Sequence, residues 1–309
     1  MMSLVLKSTE ERARLWRPMF TSELPDLAFH VWPETGDPEA VRYLIAWQPP
    51  ENLRTLFPNL EVLFSVGAGV DQLNLSLVPE HVRVVRMMEP GLAEGMIEYV
   101  LWAVLSCHRE MFRYARQQRE HLWKGSPNVS AGLRRVGIMG MGALGTPVLK
   151  KLAEFGYVCS GWSRSRHDVA DITSYAGSDE LDDFLAVTDI LVCLMPLTEA
   201  TTGILNRDLF QKLPVGASLI NCGRGGHVVQ EDLLLALESG QLSQAILDVA
   251  VPEPLPDNHV FWDHPLIFIT PHIASSSRVE SGGESILKNI IRHQNGLEIV
   301  GEIDRSSGY

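Results

Sequence analysis

Three short segments carry side chains of the kinds that hold carboxylates and move protons. Asn221-Cys222-Gly223-Arg224-Gly225-Gly226 brings an arginine, and Leu247-Asp248-Val249-Ala250-Val251-Pro252-Glu253-Pro254 brings two acids. Thr270-Pro271-His272-Ile273-Ala274-Ser275 brings a histidine. Each segment ends an apolar run that reads as a strand, over 217–221, 245–249 and 267–270. The C-terminal ends of parallel strands are where open α/β sheets bind ligands. An arginine, a glutamate and a histidine delivered there can orient a carboxylate, tune an imidazole and move a proton. His227 and His259 read as bystanders. Cys107, Cys159, Cys193 and Cys222 are far apart with no CxxC pair, so neither a zinc cluster nor another bound metal is expected.

A fourth segment has the chemistry of a phosphate cradle. Gly140-Met141-Gly142-Ala143-Leu144-Gly145 follows a strand at 136–139 and opens a helix over 143–155. In that setting Gly140 permits a tight turn, Gly142 lets the backbone approach a pyrophosphate, and Gly145 lets helix and strand pack closely. The helix start offers unpaired N–H groups and a positive dipole end. NAD-binding folds place an acid about 20 residues further on, against the ribose hydroxyls. Here the next strand, 157–162, runs into Ser163-Arg164-Ser165-Arg166, with no acid before Asp168. Arg164 and Ser163, with Arg166 nearby, suit a 2′-phosphate instead. The expected cofactor is NADP(H) in preference to NAD(H).

The elements that position these segments alternate. In the first part, strands are expected at 3–6, 26–32, 43–46, 60–66 and 82–87, with a helix from a Ser8/Glu11 capping box to about 20. A long helix is predicted over 92–122, with Met96, Val100 and Val104 on an apolar stripe. Further strands at 189–195 and those named above alternate with helices such as 231–238. Uniformly apolar strands between helices imply parallel sheets covered on both faces. A last helix over 278–293 is expected to return to the first part. The domains are therefore expected as 1–98 plus 284–309, a discontinuous substrate-binding domain, and 99–283, a dinucleotide-binding domain.

Composition sets the outer bounds. The chain has 309 residues, about two domain lengths. Its 45% hydrophobic and 21% charged residues argue against a largely disordered chain. A net charge of -12 repels phosphate backbones, so nucleic acid is not the expected partner. No apolar run forms a signal-peptide core or reaches the roughly 18 residues of a membrane span. The expectation is a cytoplasmic protein with no membrane association.

These segments, together with Gly67-Ala68-Gly69-Val70-Asp71, resemble the D-isomer-specific 2-hydroxyacid dehydrogenase family over nearly the whole chain. The stretch from Arg224 through Val228, Glu231, Leu234 and Gly240 to Asp248 is similar to the family signature. Ala46-Trp47-Gln48-Pro49-Pro50, Glu94-Gly95-Met96 and Trp162-Ser163-Arg164-Ser165 resemble its glyoxylate/hydroxypyruvate reductase A branch. The resemblance implies an α/β fold of two Rossmann-like domains with parallel sheets and an active-site cleft between them. It implies that Arg224 grips the substrate carboxylate, that His272 is the proton donor, and that Glu253 orients His272 and favours its protonated form. Ala68 and Gly69 would hold the carboxylate through backbone N–H groups, and Trp47 would line the substrate pocket. Pro196, Thr202, Cys222 and Gly223 would border the cofactor. Asp248 would either contact the nicotinamide carboxamide or merely end a strand.

The implied activity is NADPH-dependent reduction of glyoxylate and hydroxypyruvate, by a homodimer whose domains close on hinges near 98 and 284. With the sequence ending at Tyr309, the extra regulatory domain of some phosphoglycerate dehydrogenases is not expected. Two alternatives stay open: an NAD-dependent dehydrogenase of another 2-hydroxy acid, and a dinucleotide-sensing interaction protein.

Overall fold

The structure is a computed structural model and describes residues 1–305. Residues 306–309, expected in the first domain, lie outside the described residues, as does the side chain of Asp71. The chain divides into two compact units, Met1–Leu92 with Ser276–Tyr309, and Ala93–Ser275.

The first unit is built on one sheet. Its elements are β1 (Met2–Lys7), α1 (Glu10–Glu23), β2 (Leu27–Val31), β3 (Val41–Ala46), the single turn α2 (Leu53–Leu56), β4 (Val62–Ser65) and β5 (Arg83–Val85). The strands are all parallel, in the order β2-β1-β3-β4-β5. Leu44, Phe57, Leu63, Leu73 and Val84 are among the side chains of its core. The capping residue of α1 is Thr9 rather than Ser8, because the Thr9 hydroxyl accepts from the Arg12 N–H while Ser8 accepts from the Arg12 guanidinium.

The next helix, α3 (Pro90–His108), starts in the first unit and continues in the second. The single helix expected over 92–122 is broken. α3 stops at His108, and α4 (Met111–Arg119) begins after Glu110, whose φ of 54° is left-handed. A left-handed non-glycine residue costs roughly 1–2 kcal/mol. Here the Glu110 carboxylate accepts from Arg113 at 2.6 Å and from Ser126 at 2.9 Å, which offsets that cost. The apolar stripe ends where the helix does: Met96, Val100, Val104 and Cys107 are buried.

The second unit continues with β6 (Arg135–Met139), α5 (Gly145–Glu154), β7 (Val158–Ser163), β8 (Thr173–Ala176), α6 (Leu181–Ala186), β9 (Ile190–Cys193) and α7 (Arg207–Lys212). Then come β10 (Ala217–Asn221), α8 (Gln230–Glu238), β11 (Leu242–Leu247) and β12 (Ile267–Ile269). The sheet order is β12-β11-β10-β9-β6-β7-β8, all parallel. Alternate residues face opposite layers. Ile190 and Val192 pack in the layer of α3 and α5, and Leu191 and Cys193 in the layer of α6, α7 and α8. β8 escaped the sequence reading because Thr173-Ser174-Tyr175-Ala176 is a polar edge strand with no apolar run.

The chain returns to the first unit as α9 (Val279–Gln294), which packs on α1. Trp16 of α1 donates its indole N–H to the Val279 carbonyl, and its ring lies where a side chain at Gly283 would sit. The units divide at 92/93 and 275/276, ahead of the expected 98 and 284. The reason is packing: Met96 and Ala274 already belong to the core of the second unit. The N–H of Arg278, by contrast, bonds to Glu89 of the first.

Candidate active site

The glycine loop leaves the end of β6 at the sheet edge expected for a ligand. Gly140 has φ 107°, and a Cβ there would lie 2.9 Å from the backbone of Leu194. A Cβ on Gly145 would lie 1.9 Å from the Gly140 carbonyl oxygen, so only glycine lets α5 approach so closely. Around Gly142 there is open space. Among the described residues, no acceptor in the chain meets the N–H groups of Gly142, Ala143 or Leu144. Open space, unpaired donors and a helix N-terminus together fit a pyrophosphate.

At the end of β7 the side chains divide. Arg166 pairs with Glu180 and donates to the Ser174 carbonyl. Arg164 is exposed at the strand end, and the Ser163 hydroxyl donates to the Ser165 carbonyl. The next strand, β9, leads to a turn stapled by its own hydroxyls. Thr201 donates to the Pro196 carbonyl, and Thr202 to that of Thr198.

Arg224 follows β10 on a turn that its neighbours hold tightly. Asn221, fully buried, accepts from the Gly223 N–H and donates to the Arg224 carbonyl. Nδ1 of His227 accepts from the Arg224 N–H at 3.0 Å, and Nε2 faces the Pro196 carbonyl at 3.2 Å. A neutral ring with its proton on Nε2 satisfies both. His227 is therefore no bystander: buried under the turn, it ties Arg224 to the Pro196 segment. A Cβ on Gly225 would lie 2.1 Å from the Ala250 backbone, so the Arg224 turn packs directly on the loop that carries Glu253. Burial pushes the Cys222 thiol well above its ordinary range, with Asp248 and Cys193 adding to the shift. It is a packing group bordering the site.

Glu253 and His272 meet. Nδ1 of His272 lies 2.9 Å from Glu253 Oε2, and Glu253 Oε1 accepts from the Ala250 N–H at 3.0 Å. Both carboxylate oxygens are thus occupied, which fixes the ring and leaves Nε2 as its outward nitrogen. His272 itself has φ 55°, a conformation that non-glycine residues avoid at about 1–3 kcal/mol. Its N–H bonds to the carbonyls of Asp248 and Thr270 at 2.8 and 3.0 Å. The Asp248 side chain, 1% exposed, sits beneath this turn. It accepts from the Thr270 hydroxyl at 2.6 Å and from the N–H groups of Ile273 and Ala274, both at 2.8 Å. The sequence left Asp248 between a cofactor contact and a strand end. In the structure its carboxylate is occupied by donors of its own chain.

In the first unit, Trp47 follows β3 and its ring stands 2.7 Å from the place of a Cβ on Gly67, where only glycine fits. Ser65 and Gln72 hold the 67–69 loop: Ser65 accepts from the Gly67 N–H and donates to the Gly69 carbonyl, and Gln72 bonds to both. Among the described residues, no acceptor in the chain meets the N–H groups of Ala68 and Gly69. His227, Thr270 and Tyr99 were missed by the sequence reading. Thr270 stands two residues before His272, but only the fold brings Tyr99 of α3 to it.

Comparison with known proteins identifies the family. The family described as D-isomer specific 2-hydroxyacid dehydrogenase, NAD binding domain, matches residues 101–274. Glyoxylate/hydroxypyruvate reductase A of Yersinia enterocolitica is 38% identical over 303 residues, 96% of each chain. A D-isomer specific 2-hydroxyacid dehydrogenase of Xanthobacter autotrophicus, solved with NADPH and MES, superposes with a TM-score of 0.93 at 33% identity. That match covers 100% of this chain and 99% of the other. The NADPH-dependent glyoxylate/hydroxypyruvate reductase of Sinorhizobium meliloti, solved with NADP and sulfate, gives 0.91 at 33% identity over all of both chains. With an α/β fold of two parallel sheets, a dinucleotide loop and a paired histidine and glutamate, this oxidoreductase belongs to the D-isomer specific 2-hydroxyacid dehydrogenase family.

Proposed function

We propose that the protein reduces small 2-oxo acids with NADPH, glyoxylate to glycolate and hydroxypyruvate to D-glycerate. The observation that carries this reading is the His272–Glu253 pair, on the same sheet edge as Arg224 and the glycine loop. When bound, the nicotinamide supplies a hydride. Arg224 grips the substrate carboxylate with a planar, permanently charged fork. His272 gives its Nε2 proton to the carbonyl oxygen, while Glu253 at Nδ1 holds the ring in the orientation for that role. Ala68 and Gly69 offer N–H groups to the carboxylate, and Trp47 is a pocket side chain.

For the cofactor, Gly140, Gly142, Ala143, Leu144 and Gly145 form the phosphate loop. Ser163, Arg164 and Ser165 receive the 2′-phosphate, while Arg166 pairs with Glu180. Pro196, Thr202, Cys222 and Gly223 border the nicotinamide side. The NADPH and NADP complexes of the Xanthobacter and Sinorhizobium proteins support NADPH over NADH. The four cysteines are all free and buried, which supports a reducing compartment, the cytoplasm. Among the described residues no helix is long and apolar enough to cross a membrane. A homodimer is the proposed assembly, supported by exposed Trp102 on α3.

The test is loss of reduced-nicotinamide absorbance with NADPH or NADH and glyoxylate, hydroxypyruvate, pyruvate or phenylpyruvate. Fast NADPH consumption with the first two is expected, and His272→Asn should slow it about 100-fold or more. Cofactor binding without turnover on any of them would sink the reductase reading and favour a dinucleotide sensor.

A further inference from the structure

We propose that Thr270 and Tyr99 are positioning residues for proton transfer, acting through Asp248 on the backbone turn that aims His272. The proposal rests on the reading of His272 as the proton donor.

The turn at His272 does not hold itself. His272 occupies a left-handed conformation, and such a conformation persists only where the surroundings over-determine it. The surroundings here are the carboxylate and carbonyl of Asp248, with the Thr270 carbonyl. Asp248 takes the two N–H groups that follow His272, at 2.8 Å each, while its own carbonyl takes the N–H of His272. Three consecutive amides of the turn therefore close on a single residue at the end of β11. The orientation of that carboxylate sets the orientation of the imidazole.

Two hydroxyls fix the carboxylate. The Thr270 and Asp248 side chains are 2.6 Å apart, and the Tyr99 and Thr270 oxygens are 2.5 Å apart. A threonine hydroxyl has one proton, and a carboxylate only accepts. Thr270 therefore donates to Asp248, and Tyr99 must donate to Thr270. The chain of donors runs one way, from α3 through β12 to β11. Burial pushes the Tyr99 phenol up, so it remains the donor at neutral pH. Buried polar chains of this kind hold one geometry when complete and leave unpaired groups when cut.

The interval between His272 and a substrate carbonyl is where such a clamp matters. A proton donor must reach hydrogen-bond distance of its acceptor, and a misplacement of about 1 Å costs on the order of 100-fold. Glu253 fixes the rotation of the ring, and the Asp248 clamp fixes the backbone from which the ring projects. These are separate constraints on one imidazole.

The experiment uses the full chain with Thr270→Val, Thr270→Ser and Tyr99→Phe. It reads kcat and KM for glyoxylate, NADPH affinity, and the His272 ring signal in a 1H–15N spectrum, assigned by its absence in His272→Asn. Thr270→Val should lower kcat about tenfold or more while KM and NADPH affinity stay within about twofold. Its His272 ring signal should shift. Thr270→Ser should restore both, and Tyr99→Phe should move both in the same direction by less.

A wild-type kcat in Thr270→Val, a loss that Thr270→Ser does not restore, or an unmoved ring signal would overturn the proposal. If Thr270→Val fails to fold, Tyr99→Phe decides: unchanged kcat and ring signal overturn it. If the wild type reduces no 2-oxo acid, the proposed function fails, and the ring signals of the variants still decide the positioning.

Discussion

At the scale of single residues, the proposed preference for NADPH rests on Arg164. The sequence placed two arginines after β7, both exposed: Arg166 pairs with Glu180, and Arg164 directly follows the strand. A hydrogen bond to a charged group contributes about 1.5–3 kcal/mol, roughly ten- to a hundredfold in affinity. Arg164→Ala should weaken NADPH binding by that factor and leave NADH binding nearly unchanged, as titration with each cofactor would show. Equal loss for both cofactors would mean that Arg164 acts on the loop rather than on the phosphate. The glycines were legible because each role is a steric demand that one residue type meets. His227 was not legible, because nothing in its neighbours says that a buried ring will lie under Arg224.

Among the elements, the segments on which α3 and α9 begin share one acid. Glu89, 6% exposed, accepts from the Gly91 N–H at 2.8 Å, from the Arg278 N–H at 3.0 Å and from the Ser281 hydroxyl at 2.6 Å. Negative charge at helix starts is favourable, and here one carboxylate serves two. Glu89→Ala leaves three donors without their acceptor and should cost about 2–3 kcal/mol by denaturant unfolding. A loss below about 0.5 kcal/mol, the size of an ordinary surface change, would show that water replaces the carboxylate. The strands other than β8, and α5, were readable from apolar runs and turn glycines. The break between α3 and α4 was not, since it depends on Glu110 finding Arg113 and Ser126.

For the whole molecule the exposed aromatics are the informative feature. Trp102 is 40% exposed, and its ring packs against Phe112 and Phe268 with centroids 6.3 and 5.4 Å away. Large aromatic side chains left at a surface mark interfaces more often than lone aliphatic ones do. We propose this cluster as the contact of the proposed homodimer. Sedimentation should then find a dimer for the wild type and a monomer for Trp102→Glu, with the fold retained by circular dichroism. A monomeric wild type, or a dimeric variant, would rule out that surface.

The sequence alone determined the fold class and singled out the glycine loop and the three side chains proposed for catalysis. Those features are local: apolar runs set strands, glycine spacing sets a turn, and Arg224, Glu253 and His272 each follow a strand. Tertiary structure decided which groups share hydrogen bonds. The Glu253–His272 distance, the grip of His227 on Arg224, and the chain from Tyr99 through Thr270 to Asp248 join residues far apart in sequence. Periodicity and spacing report on neighbours along the chain. Partners across strands are fixed only when the sheet closes its register and burial leaves each polar group to find one.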